Sequence, residues 1–212
     1  MEKIGIFGLG GMAREARDIA NSLSLQSVFI ASDEAEKNSF SGVEDVVLES
    51  EIMDHADMPY VIAIGEGSVR EEIALSYAGK LQFANLIHPS ATFGYGQRER
   101  LEERRGLIIC AGSRITCDTQ IGDFSILNLN ATISHDCIVE DYVTIAPQAC
   151  VLGNVHIGRG AWVGASAVIN QGKNGQRRRI GENCVIGSGA VVTSDCEAGE
   201  TYIGVPARKL VL

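Results

Sequence analysis

Ile121-Gly122-Asp123-Phe124-Ser125-Ile126-Leu127-Asn128-Leu129-Asn130-Ala131-Thr132-Ile133-Ser134-His135-Asp136-Cys137-Ile138-Val139 repeats a pattern every six residues. Aliphatic side chains fall at Ile121, Leu127, Ile133 and Val139, and a small residue stands two places earlier at Ser125, Ala131 and Cys137. The register runs unbroken from Ile109 to Ile169 and resumes at Ile180, Ile186 and Val192. Glycine often follows the aliphatic residue, as at Gly122, Gly158, Gly164, Gly181 and Gly187. An α-helix turns through about 600° in six residues, so these positions would scatter around it. A short strand and a tight corner keep the period. The aliphatic residue points into a narrow prism, the small one fits beside it, and glycine relieves the corner. Three hexapeptides close one triangular coil, so the fourteen aliphatic positions predict nearly five coils of a parallel β-helix.

Residues 1–85 follow another grammar. Lys3 to Phe7 reads as a buried strand, Gly8-Leu9-Gly10-Gly11 as a glycine turn, and Met12 to Ala20 as a helix with Ala16, Ile19, Ala20 and Leu23 on one face. Ser27 to Ile30 reads as a second strand ending at Ser32-Asp33, Tyr60 to Ile64 as a third ending at Gly65, and Ser68 to Lys80 as a helix. This alternation predicts a small parallel sheet, a Rossmann-like half domain over residues 1–85, with the β-helix over 86–212. Asn85 to Ser90 forms the junction, Ala91 to Gly94 a first hexapeptide, and the charged stretch Gln97 to Arg105 a loop or extra corner. The end, Tyr202 to Leu210, breaks the repeat and can cap the last coil.

Composition narrows the function. The net charge of −9 argues against nucleic acid as a partner, because that binding rests on neutralising phosphates. No apolar run is long enough to span a membrane, and Met1 to Gly11 lacks the basic-then-apolar order of a signal peptide. The six cysteines show neither a CxxC pair nor disulfide-like clustering, and Cys137 and Cys184 hold the small inward position of the repeat. A reducing cytoplasm is the expected compartment. One basic segment, Lys173 to Arg179, interrupts the repeat between Ile169 and Ile180 and reads either as a solvated loop or as a neighbour of a phosphate-bearing ligand.

Two constellations carry chemistry. Gly8-x-Gly10-Gly11 between strand and helix suits a phosphate, which meets free N–H groups and the positive end of the helix dipole. About 85 residues make roughly half a dinucleotide fold, so a mononucleotide diphosphate fits better than NAD. Asp33 can accept hydrogen bonds from a base or ribose, and Gly65 ends the third strand, where open parallel sheets bind ligands. The second constellation is His135-Asp136. It falls at an outward corner, where the carboxylate supports an imidazole acting as general base. No histidine pair has the spacing of a metal site, and His88, expected at the junction, and His156, expected on an exposed strand, carry less weight.

These motifs, together with Asn85-Leu86-Ile87-His88-Pro89-Ser90-Ala91, Gly153-Asn154-Val155-His156-Ile157-Gly158 and Gly204-Val205-Pro206-Ala207, resemble the bacterial nucleotide-sugar acetyltransferases that join a small nucleotide-binding domain to a left-handed β-helix. That group includes the UDP-N-acetylbacillosamine and perosamine N-acetyltransferases and the sialic-acid O-acetyltransferases. The resemblance implies left-handed coils and a homotrimer with active sites between neighbouring prisms. It implies His135 as catalytic base and Asp136 as its supporting acid. Gly10, Gly11, Met12, Ser32, Asp33 and Gly65 match positions that hold the nucleotide-sugar, and Thr144, Ala165 and Ser188 match positions lining the acetyl-CoA channel. Met12 and Thr144 stand where the family often has histidine, and Ser188 where it usually has glycine.

The implied activity is acetyl-CoA-dependent N-acetylation of a nucleotide-activated amino sugar, a UDP-4-amino-4,6-dideoxy sugar in the first instance, for surface glycan or glycoprotein synthesis, without a metal. The alternatives are O-acetylation of a sugar hydroxyl, as on sialic acid, and a non-catalytic trimer that only binds a nucleotide-sugar.

Overall fold

The computed structural model describes residues 2–42, 45–173 and 175–211. Five parallel strands open the chain: β1 (Lys3–Phe7), β2 (Gln26–Ala31), β3 (Asp45–Leu48), β4 (Pro59–Ile62) and β5 (Gln82–Phe83). They lie in the order β3-β2-β1-β4-β5. Helices α1 (Gly11–Ser22), α2 (Glu34–Ser39) and α3 (Gly67–Ser76) connect them, with a 3₁₀ turn at Glu49–His55. The strands β1, β2 and β4 are buried almost end to end, as expected where a parallel sheet is covered. Three of these strands are legible in the sequence, whereas β3, only half buried, and β5, with two residues, make no strong apolar run.

From Leu86 onward the chain winds into the left-handed prism. Its first face carries eight strands, including Ile126–Leu127, Thr144–Ile145 and Trp162–Val163. The second carries six, including Thr132–Ile133, and the third four, including Ile138–Val139 and Val155–Ile157. Neighbouring coils pair in register, Ile133 opposite Ile115 and Val151. The inward positions behave as the repeat requires: Ile121, Leu127, Ile133, Val139, Ile145 and Val151 are buried, with Ser125, Ala131, Cys137 and Ala149 beside them.

The glycines have a different job from the one the sequence suggested. The corner is made by the residue three places after each aliphatic position. Asp118, Phe124, Asn130, Asp136, Tyr142, Gln148, Asn154 and Ser166 all have φ between +54° and +61°. Gly158 and Gly164 lie outside that conformation, but a Cβ on either would sit 2.6 Å from backbone atoms of the next coil. Glycine there allows coil-to-coil approach, while ordinary residues take the left-handed corner at a cost of about 1–2 kcal/mol each.

Gln97–Glu102, expected as a loop or extra corner, is a short helix, α4. Leu101 plugs the prism core, and the buried Gln97 side chain bonds Thr119 O at 2.6 Å and Thr119 N at 3.2 Å. It thereby satisfies backbone at the open first turn. At the far end Thr201–Ile203 extends the first face and Arg208–Lys209 folds back antiparallel on it, the cap the sequence called for.

Candidate active site

The residues expected to hold the nucleotide-sugar gather at one crevice. Gly8 to Gly11 end β1, Ser32 and Asp33 end β2, and Gly65 follows β4, so all lie at the carboxyl ends of adjacent parallel strands, at the switch in strand order. The N-terminus of α1 carries no side-chain cap and no acidic residue in its first turn. A Cβ at Gly10 or Gly11 would meet nothing within 4 Å, so the turn is open on that side. A cavity of about 360 Å³ adjoins, lined by Gly8, Ser32, Glu36, Ile64 and Ile73 among others. Asp33 has a structural task as well: it caps α2, accepting from Glu36 N at 2.8 Å. Glu36 in turn accepts from Ser32 N and Oγ at 2.7 and 2.8 Å. Met12 turns toward the prism, where Asn128 Nδ2 reaches its Sδ at 3.7 Å.

Gly65 is locked to the first face of the prism. Its carbonyl accepts from Thr144 Oγ1 at 2.8 Å, and a Cβ there would press on the Trp162 indole at 3.3 Å. Thr144 is buried in this joint. The same joint holds a residue that sequence reasoning missed, Arg70, which is fully buried. Its Nε donates to Phe124 O at 2.8 Å, one terminal nitrogen to Ile64 O and Gly65 O at 2.8 and 2.7 Å, and the other to Tyr142 O and Val143 O. Every acceptor is a backbone carbonyl. Burial pushes the Arg70 pKa down to about 10, against the upward pull of Glu66 and Tyr142, so it stays a cation at neutral pH. In the sequence it resembles any solvated charge on the Ser68–Lys80 helix. Arg159 adds an outer tie, pairing with Glu71 and with Asp141 at 2.9 Å over the Tyr142 ring.

His135 lies elsewhere, on the edge between the second and third faces. Asp136 occupies the left-handed corner position, which Asp tolerates, with φ of 60°. Its Oδ2 meets His135 Nδ1 at 2.7 Å. That bond selects the tautomer that keeps a proton on Nδ1 and leaves Nε2 as an acceptor. The ring rests on Gly153 of the next coil, where a Cβ would sit 2.5 Å from Cε1 and 2.6 Å from Nε2. Nε2 has no partner among the described residues, and the two side chains are 60% and 56% exposed. This is an imidazole held in one orientation with a free nitrogen on an open edge.

Ala165 and Ser188 follow strands of the first face, on the edge between the first and second faces. Within one chain, then, the proposed acetyl-CoA positions and His135 stand on different edges, and the crevice covers the face opposite His135. His156 is a second histidine–carboxylate pair, Nε2 to Glu140 Oε1 at 2.7 Å. Burial raises the Glu140 pKa, but hydrogen bonds from His156 and the Arg159 amide, with the nearby Arg159 charge, hold it below the usual carboxylate range. His88 Nδ1 meets Ser90 N at 3.0 Å and shapes the junction turn. No group of three His, Cys, Asp or Glu converges as for a metal ion among the described residues.

An open-crevice α/β unit fused to a left-handed β-helix with an exposed His–Asp pair defines a hexapeptide-type sugar acyltransferase. Residues 3–76 match the PglD N-terminal domain. The chain is 32% identical to GDP-perosamine N-acetyltransferase of Escherichia coli O157:H7, covering 99% of this chain and 97% of that one. It belongs to that enzyme's family, the nucleotide-sugar N-acetyltransferases. WeeI from Acinetobacter baumannii AYE superposes with a TM-score of 0.87 at 28% identity, over 99% of this chain and 100% of that one. PerB from Caulobacter crescentus, in complex with CoA and GDP-perosamine, shares the fold with a TM-score of 0.86 at 23% identity, over 100% and 98%.

Proposed function

We propose that this protein transfers the acetyl group of acetyl-CoA to the amino group of a nucleotide-activated amino sugar. The His135–Asp136 pair carries the reading. The neutral amine attacks the thioester carbonyl, Nε2 of His135 takes the proton as the C–N bond forms, and Asp136 stabilises the imidazolium through Nδ1–H. The CoA thiolate leaves and is protonated. Holding amine and thioester together supplies most of the acceleration, with general-base help of about 10²–10⁴-fold. Gly10, Gly11, Ser32, Asp33 and Gly65 of one chain hold the nucleotide-sugar in the crevice, and Ala165 and Ser188 of that chain line the path of the thioester arm toward the His135 edge of a neighbouring chain. Residues 1–85 act as the nucleotide-sugar unit and 86–212 as the transferase unit, in the reducing cytoplasm where the six thiols stay free.

The working site is intermolecular. The crevice of one chain sits on the first face of its own prism, opposite the edge that bears its own His135. A sugar held there meets a histidine only if a second chain presents one, and three prisms around an axis do so symmetrically. Light scattering that gives a monomer mass in the active sample would overturn this. Complementation gives a sharper readout. His135→Ala and Gly10→Asp are each expected to be inactive alone, the second by setting a carboxylate where phosphate binds, and co-assembled chains to recover activity. Assay against UDP-, GDP- and dTDP-amino sugars identifies the nucleotide, and acetylation of none of them would sink the transferase reading.

A further inference from the structure

The basic interruption of the repeat falls on the same edge as His135. Corners on this edge occur at Ser134-His135, then Leu152-Gly153, then the segment that starts at Gly172, of which residues 172, 173 and 175–178 are described. Coils stack about 5 Å apart, so the segment begins about 10 Å along the prism from the imidazole. It folds back toward it. Asn154 Nδ2 donates to Gln176 O at 3.0 Å, and Arg177 Nε reaches Asp136 O at 3.4 Å. Between this loop and the third face lies a cleft of about 540 Å³, lined by Ile138, His156, Gln176, Arg177, Arg179 and Asp195.

Charge in the cleft does not balance. Asp195 is occupied, accepting from Arg178 at 3.2 Å and from the Arg179 amide at 3.1 Å. Glu140, behind His156, is occupied by that ring and by Arg159 N. The guanidinium groups of Arg177 and Arg179 meet no carboxylate among the described residues, in a chain whose net charge is −9. The buried Nε–H of Arg178 has no acceptor among them either. The two guanidinium groups that line this roomy cleft, those of Arg177 and Arg179, suit a phosphate, which they grip as planar forks.

We infer that Arg177 and Arg179 bind the phosphates of the CoA co-substrate, anchoring it on the loop-covered cleft while its thioester end runs along the edge to His135. This rests on the transferase reading and gives the insertion a purpose: it selects a donor by its nucleotide end, remote from the reacting carbonyl. Binding energy placed there orders the thioester arm without touching the chemistry.

The test compares donors. Wild type is expected to use acetyl-CoA with far higher kcat/KM than S-acetylpantetheine, which carries the same thioester and no phosphate. Arg177→Ala/Arg179→Ala should lower that ratio about tenfold to hundredfold, chiefly through KM for acetyl-CoA, and the double lysine variant should recover part of it. Equal losses with both donors would overturn the proposal. Adenosine 3′,5′-diphosphate serves as a probe that needs no turnover. Its Kd for wild type should rise at least about tenfold in the alanine variant and with added salt. Tight binding of this probe by a protein that acetylates no amino sugar would keep the cleft and discard the transferase reading. The same Kd in wild type and variant would discard the cleft. Both arginines are exposed, so their loss should leave the melting temperature in place.

Discussion

The α/β unit and the prism bury their interiors by opposite means. The first uses large, unlike side chains: Phe7, Phe29 and Tyr60 fill the space around β1, β2 and β4, and each contact is specific to its place. The second uses one aliphatic and one small residue per hexapeptide, repeated with little variation from coil to coil. A repeated interior frees the outside, so a coil can present His135, a Gly153 platform or a basic loop at a corner without disturbing the stack. A bespoke interior fixes its surroundings, and the crevice inherits that rigidity from the strand ends. In the proposed scheme the chemistry sits on the permissive half and sugar recognition on the exacting one.

The largest expected effect isolates chemistry from stability. His135→Ala should cut turnover by about 10²–10⁴ with the melting temperature nearly unmoved, because the ring lies outside the prism. Near-wild-type turnover would remove the base and leave a binding scaffold as the better account. Gly153→Ala should be milder, tilting the ring off its platform and lowering kcat by about tenfold at near-constant KM, since a small misplacement of a catalytic group is costly.

Arg70→Met probes the joint. It leaves five buried carbonyl contacts without their donor, so about 3 kcal/mol or more of stability should go. In urea the α/β unit should then unfold ahead of the prism. One transition at the wild-type midpoint would show that the two units are held by apolar packing alone. At the small inward position, Ala161→Leu should cost about 1–3 kcal/mol by overfilling the prism.

The smallest effect has the opposite sign. Gln148 holds a left-handed corner with φ of 61°, is exposed, and bonds no other side chain among the described residues. Gln148→Gly should raise stability by a few tenths to about 1 kcal/mol, the relief of strain exceeding the entropy glycine loses. Destabilisation would mean that the corner is set by something other than local sterics.

The same contrast explains what the sequence disclosed. Repetition makes a signal, so the inward positions of the prism, its cap and the outward corner of His135 were all legible. Glycine was found but misassigned, because close approach between coils and positive φ leave the same letter behind. The Gly8–Gly11 turn and the ends of β2 and β4 were legible from alternation, whereas β3 and β5 were too short or too exposed to show. Arg70 was invisible, since nothing local separates a buried arginine from a solvated one on a helix. The bond from Thr144 to the Gly65 carbonyl was likewise out of reach of the sequence, since it joins residues 79 positions apart.

Arg70 grips main-chain oxygen alone. Carbonyls of residues 64, 65, 124, 142 and 143 are supplied by any amino acid, so this hinge-pin makes no demand on the identity of the side chains it fastens. A crevice retuned for another sugar or base could change the residues around Gly65 and remain mounted at the same angle on the same prism. The molecule thus carries an adapter whose plug is written in backbone, and grafting a different nucleotide-recognition unit requires one arginine at one turn of one helix.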